Sequence, residues 1–201
     1  MIDKTRLSTK YYRLSTKKMY DITQHKKDLR QQMLQLRDAM LPAVKREMDK
    51  NIRTRLAAII KEKNARVVHC YLPMGSEVNV FPLLAELLSA GIKVISPKTL
   101  PKRQLQNLVL HSVTDLEPGM WGTIHPGGNE EYSGPIDLFI VPGLAFDSDR
   151  YRLGYGAGYY DNHLCNHPDA YKVAVAYPFQ LIDKVPIEPH DVQLNEVLFG
   201  G

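Results

Sequence analysis

The chain has 201 residues, 24% of them charged and 44% hydrophobic, the make-up of one ordinary globular domain with a sizeable core. No stretch approaches ~18 consecutive apolar residues, which excludes a membrane-spanning helix. Two cysteines without a C-x-x-C spacing exclude a disulfide scaffold or zinc knuckle and suit a reducing, cytoplasmic setting.

The net charge of +4 is lopsided. Residues 1–30 hold nine Lys/Arg against three Asp/Glu, and the remainder holds 17 against 19. The basicity belongs to an N-terminal arm, so no specific nucleic-acid partner is expected for the body. The arm repeats "RLSTK" at 6–10 and 13–17, with few apolar residues and no period. Residues 1–22 read as a poorly ordered extension without the apolar segment of a secretion signal, and Met19 is open as an alternative start. Residues 23–201 read as a single domain.

Thr23 is expected to cap a helix beginning near Gln24, with Leu29, Met33, Leu36 and Met40 as its apolar stripe. Pro42 suits the start of a second helix, whose buried face would be Val44, Met48, Ile52, Leu56, Ile59 and Ile60. Strands follow at 65–72, 92–97, 108–113, 136–143, 171–177 and 196–199, with helices at 80–91, stopped by Gly91, and at 160–167. The most apolar strand, "IDLFIVPG", is expected to be central. Alternation of strands and helices predicts an α/β fold: a three-layer, open, largely parallel Rossmann-like sheet with helices on both faces. Ligands of such sheets bind beyond the carboxyl ends of the strands. That directs attention to "PMGSEVN", "PKTLPKR", "PGLAFDSDRYRLGYGAGYYD" and "PFQLIDKVPIEPHD".

The third of these loops holds "RLGYGAGYYD", 152–161. Its alternating glycines permit close approach of a ligand to the backbone, and successive N–H groups there can converge on an anion. The spacing matches neither the P-loop nor G-x-G-x-x-G, and a tight strand-to-helix turn with no ligand makes the same pattern. Lys26 and Arg30 stand one turn apart beside the apolar stripe of the first helix, near the end where the macrodipole disfavours cations. That placement points either to an anion or to a solvated continuation of the basic arm. Asp161 and Asp191, with phosphates on the glycine loop, would suit Mg²⁺, which takes few protein ligands; alone they are two surface aspartates. "HLCNH", 163–167, lacks a distant ligand set for a metal. His69 reads as a satisfied core histidine and Cys70 as buried and inert. No nucleophile elbow is present.

Taken together, "HKKDLRQQMLQLRDAM", "YLPMGSEVNVFPLL", "DLFIVPGLAFD", "RLGYGAGYYD" and "EPHDVQLNEVL", in this order, resemble 5-formyltetrahydrofolate cyclo-ligases over about residues 24 to 199. The resemblance implies a scaffold like that of sugar isomerases and coenzyme A transferases. It implies Mg²⁺- and ATP-dependent closure of 5-formyltetrahydrofolate to 5,10-methenyltetrahydrofolate, in a monomer with small-molecule partners. By the same resemblance, the segment Lys26, Lys27, Asp28, Leu29, Arg30 would bind ATP. So would Arg152, Leu153, Gly154, Tyr155, Gly156, Ala157, Gly158, Tyr159 and Tyr160, with Lys26, Arg152 and Tyr160 in catalytic roles. Asp161 and Asp191 would serve the magnesium. Leu72 and Glu77 match the folate side, where Met74, Trp121, Tyr155 and Tyr159 would wall a flat ring and Glu77 would accept from the pterin's donor edge. For Trp121 a packing lid is the alternative to stacking. The chain departs from the family in carrying Asn195 where aspartate is frequent, which threatens an electrostatic contribution around the metal. Two other readings stand beside this one: a silent relative whose arm binds RNA, and a sugar-phosphate isomerase or coenzyme A transferase.

Overall fold

The computed structural model describes residues 22–201. The proposed extension therefore lies outside the described residues except for Ile22, which is helical. Helix α1 covers 22–38, so Thr23 lies within the helix and does not cap it. Helix α2 (Pro42–Glu62) starts with proline at its first turn, where a missing N–H costs nothing. β1 (Val67–Cys70), α3 (Phe81–Ser89), β2 (Lys93–Leu100) and β3 (Gln104–Leu110) follow. Two short hairpins come next, β4 (Leu116–Pro118) with β5 (Ile124–Pro126), and β7 (Ala145–Phe146) with β8 (Arg152–Leu153); β6 (Leu138–Val141) lies between them in sequence. Helix α4 (Tyr159–Leu164), β9 (Tyr171–Ala176) and β10 (Glu196–Phe199) complete the chain.

The main sheet has the order β10-β9-β6-β1-β2-β3, with every pair parallel except β2 and β3. As expected, β6 is central and its four side chains are fully buried, because a parallel strand covered on both faces has no solvent side. One face packs Val68, Leu138, Ile140 and Val173 against Ile52, Leu56 and Ile60 of α2 and Leu83, Leu84 and Leu87 of α3. The other packs Phe139, Val141 and Ala174 against Leu164 of α4. Gly91, with φ +74°, sits just past the end of α3.

Several local expectations fail for physical reasons. "PKTLPKR" reads as a loop because of its two prolines, yet residues 97–100 extend β2, paired with β3 from Val94↔Leu110 to Leu100↔Gln104. Proline is tolerated there because β1 ends its pairing at Ile95, so Pro97 faces a free edge with its missing N–H. Val44 is 43% exposed, and Asp49 takes its place in the buried face of α2, bonded to Lys45 and to the Tyr177 hydroxyl. Leu36 is also exposed. The buried stripe of α1 is Lys26, Met33 and Arg37, with Arg30 partly covered between them. His69 is in the core but not satisfied: neither ring nitrogen has a hydrogen-bond partner among the described residues. It lies between the rings of Phe139 and His163, and burial holds it neutral, well below the ordinary histidine range.

Candidate active site

In this sheet the chain order reverses between β1 and β6, since β1 leads outward to β2 while β6 leads the other way to β9 and β10. Loops leaving the carboxyl ends of these two strands must diverge, which opens a crevice. The crevice is a cleft of about 410 Å³, within the usual range for small-molecule sites. The β1 loop contributes Leu72, Met74 and Glu77. The long β6 excursion contributes Arg152, Leu153, every residue of 154–160 and Asp161; α1 contributes Lys26 and Arg30, and the last loop Asp191. The sequence-predicted Lys27, Asp28 and Leu29 do not line it. One helical turn presents a single face, so Lys27 and Asp28 point to solvent, and Leu29 packs with the small cluster around Met33.

One end of the cleft is cationic. Arg152 is buried, with NH1 on Asp161 Oδ1 at 3.0 Å and its guanidinium over the Tyr160 ring at 6.0 Å. Among the described residues its Nε has no hydrogen-bond partner, nor does the Tyr160 hydroxyl. Burial, partly offset by Asp161, lowers the Arg152 pKa, and burial raises that of Tyr160 well above the ordinary phenol, so Tyr160 keeps its proton. Two buried donors without acceptors at one spot fit an anionic ligand. Arg30 Nε donates to the Gly154 carbonyl at 2.9 Å. Gly156 has φ +106°, and a Cβ there would come within 3.0 Å of the Arg30 guanidinium, so both backbone angle and space require glycine. Gly158, φ +72°, turns the loop into α4 in the same way.

Lys26 Nζ bonds Glu188 Oε2 at 2.8 Å and lies 3.8 Å from Asp191 Oδ2. Glu188, not anticipated from sequence, is held below the usual carboxylate range by that hydrogen bond. Its signal was available: it sits three residues before Asp191 in the tract already singled out. Arg152 and the Val192 N–H both donate to Oδ1 of the Asp161 carboxylate. Asp191 Oδ2 accepts from the Glu188 N–H at 2.7 Å. Among the described residues no three His, Cys, Asp or Glu side chains gather into a metal cage. Two separate carboxylates would suit magnesium only together with oxygens from a bound anion and from water. Asn195 lies apart: its backbone and Oδ1 pair with the backbone of Lys172, pinning the start of β10 to β9. An aspartate would accept the same N–H, so this departure concerns the sheet.

The other end is apolar and carries one buried carboxylate. Glu77 accepts from the Met74 N–H at 2.8 Å and from the Tyr155 hydroxyl at 2.7 Å. Burial raises its pKa, opposed by these two bonds and by Arg37 and Lys45. Tyr159 donates to the Leu100 carbonyl at 2.9 Å, so the extended β2–β3 hairpin braces the glycine loop. Trp121 stands at the mouth, 70% exposed, with a left-handed φ of +54° and its ring 5.8 Å from that of Tyr159.

This geometry has relatives. The profile of the 5-formyltetrahydrofolate cyclo-ligase family matches residues 22–200. A 5-formyltetrahydrofolate cyclo-ligase of Mycolicibacterium smegmatis is 33% identical over 152 residues, covering 67% of this chain and 74% of its own. One from Escherichia coli K12 is 30% identical over 169 residues, covering 81% and 93%. The solved 5,10-methenyltetrahydrofolate synthetase of Aquifex aeolicus superposes with a TM-score of 0.75 at 30% identity, over 87% of this chain and 89% of that one. The corresponding Mycoplasma pneumoniae enzyme gives 0.70 at 28% identity, over 86% and 96%. The α/β sheet, the loops it places at the switch point and these matches agree: the chain belongs to the 5-formyltetrahydrofolate cyclo-ligase family of ligases.

Proposed function

We propose that this protein uses ATP to cyclise 5-formyltetrahydrofolate to 5,10-methenyltetrahydrofolate, releasing ADP and phosphate. The observation that carries the reading is the polarity of the cleft: unpaired buried donors of Arg152 and Tyr160 beside a bare glycine loop at one end, a lone buried carboxylate between apolar walls at the other. A phosphate chain suits the first and a flat, donor-edged ring the second.

The formyl oxygen attacks the γ-phosphorus, the bond to ADP breaks, and the formyl carbon becomes an electrophile carrying phosphate as its leaving group. N10 attacks that carbon, gives up its proton, and the carbon–oxygen bond breaks to release phosphate. Such transfer asks the protein for positioning and charge stabilisation. Arg152, Lys26 and Arg30 meet the developing negative charge, and Tyr160, still protonated, donates to it. Asp161 and Asp191 would hold Mg²⁺, which neutralises phosphate oxygens when bound. Glu77 orients the pterin, with Leu72, Met74, Tyr155, Tyr159 and Trp121 as its walls. In this reading residues 23–201 act as one catalytic domain, and the protein works as a monomer. The two unpaired cysteines, Cys70 buried and Cys165 exposed, suit the cytoplasm. No helix among the described residues is long and apolar enough to cross a membrane.

The near-ultraviolet absorbance of methenyltetrahydrofolate tests the reading. Product is expected from 5-formyltetrahydrofolate only with both ATP and Mg²⁺, at one ADP per product. Product without ATP, or none under any condition, refutes it; the latter is what a silent RNA-binding relative would give.

A further inference from the structure

We infer that Arg37 is a positioning residue for the folate carboxylate: it fixes the Tyr155 hydroxyl on Glu77 and so holds Glu77 in place as a charged acceptor. The inference rests on the proposed reading of Glu77 as the pterin's partner. Arg37 lies seven residues beyond Arg30 on the same face of α1, buried although it is an arginine. Burying a guanidinium is costly unless its donors are matched, and the matches here belong to the cleft. Its NH2 donates to the Tyr155 hydroxyl at 2.8 Å, its Nε donates to Ser76 Oγ at 3.0 Å, and it lies over the Tyr155 ring at 5.8 Å. Ser76 in turn donates to Asp38 of α1. Tyr155 passes the interaction on, donating to Glu77 Oε1 at 2.7 Å. A hydroxyl that accepts from a cation is a stronger donor to a carboxylate.

Arg37 thereby clasps both halves of the site, the β1 turn through Ser76 and the glycine loop through Tyr155. Arg30, one step earlier on the stripe, holds the same loop at Gly154. Glu77 faces Arg37 of α1, Lys45 of α2 and Cys70 and Tyr71 around the end of β1. It also faces Tyr155 and Tyr160 of the glycine-loop segment, and Tyr177 after β9. Lys45 is already engaged by Asp49 and by the Glu77 backbone carbonyl. Among these groups, the Tyr155 hydroxyl is the one that donates to the Glu77 carboxylate, and Arg37 is the cation that donates to that hydroxyl. Loss of either raises the pH needed to ionise Glu77.

The test uses the full chain with saturating Mg·ATP and follows kcat/KM for 5-formyltetrahydrofolate against pH. Tyr155→Phe and Arg37→Met are each expected to lose about tenfold on the acid side and to return to within about twofold of wild type on the alkaline side. In Arg37→Met the KM for ATP is expected to stay within about twofold, and Arg37→Lys to recover part of the loss. An equal loss at every pH marks a merely structural role and overturns the inference, as do wild-type profiles in both variants. If Arg37→Met fails to fold, Tyr155→Phe decides, since Tyr155 is 42% exposed and sits in a loop. Glu77→Gln separates the two levels. A wild-type folate kcat/KM in Glu77→Gln removes Glu77 from the folate site and the inference with it. An impaired Glu77→Gln beside normal Tyr155 and Arg37 variants overturns the Arg37 role alone.

Discussion

Replacing Arg152 by alanine is expected to lower kcat by about a hundred- to a thousandfold, the usual cost of removing one preorganised donor from a charge-stabilising site. The guanidinium is buried and its Nε has no acceptor among the described residues, so in the proposed phosphoryl transfer it would meet the developing charge without reorganisation. Part of the loss will come from Asp161, whose partner disappears. Arg152→Lys distinguishes the contributions. It keeps a charge near Asp161 but not the fork, and should fall between wild type and alanine. Steady-state kinetics with ATP varied, together with a thermal melt of each variant, measure both. Wild-type turnover in a folded Arg152→Ala protein contradicts the phosphate assignment.

Glu77→Gln is expected to lower kcat/KM for folate on the order of ten- to a hundredfold, from a charge-assisted hydrogen bond worth roughly 1.5–3 kcal/mol. The pH dependence carries the sharper signature. Burial favours the neutral carboxyl, so the wild-type pKa lies above the ordinary carboxylate range, and in the proposed role the ionised form is the stronger acceptor for the pterin's donor edge. Folate kcat/KM of the wild type therefore falls as pH drops through that raised pKa. The Gln variant cannot titrate there, so its profile lacks this limb, and its deficit shrinks toward acid. A deficit that grows toward acid contradicts the assignment, as does weakened binding of ATP alone.

Much of this was legible because the relevant signals are local. The run "DLFIVPG" marks a strand buried on both faces, and "RLGYGAGYYD" marks a loop needing bare backbone; the structure places the second beyond the end of the first. What escaped reading depends on partners distant in sequence. Arg37 is an ordinary charged residue on a helix until α1 lies across the cleft and turns its 26–30–33–37 stripe inward. An apolar-periodicity argument chose Leu36 instead because it assumes that the covered face meets a hydrophobic core. Glu188 stood in a tract already singled out, but its pairing with Lys26, 162 positions away, is visible only in the fold. The β2–β3 hairpin was hidden by Pro97 and Pro101, whose cost depends on which strand edge is free. His69 looked like a residue that must be satisfied, and only the packing shows that rings of Phe139 and His163 surround it instead of acceptors.

In the proposed reaction the formyl oxygen is the atom phosphorylated. This is tested most directly with 5-formyltetrahydrofolate carrying oxygen-18 at the formyl position, turned over with unlabelled Mg·ATP in unlabelled water. Mass analysis of the released inorganic phosphate is predicted to find one labelled oxygen per phosphate formed. Unlabelled phosphate, with the label lost to water, would show that the carbon–oxygen bond breaks without passing through the phosphoryl group and would contradict the mechanism built on Arg152, Tyr160 and the glycine loop.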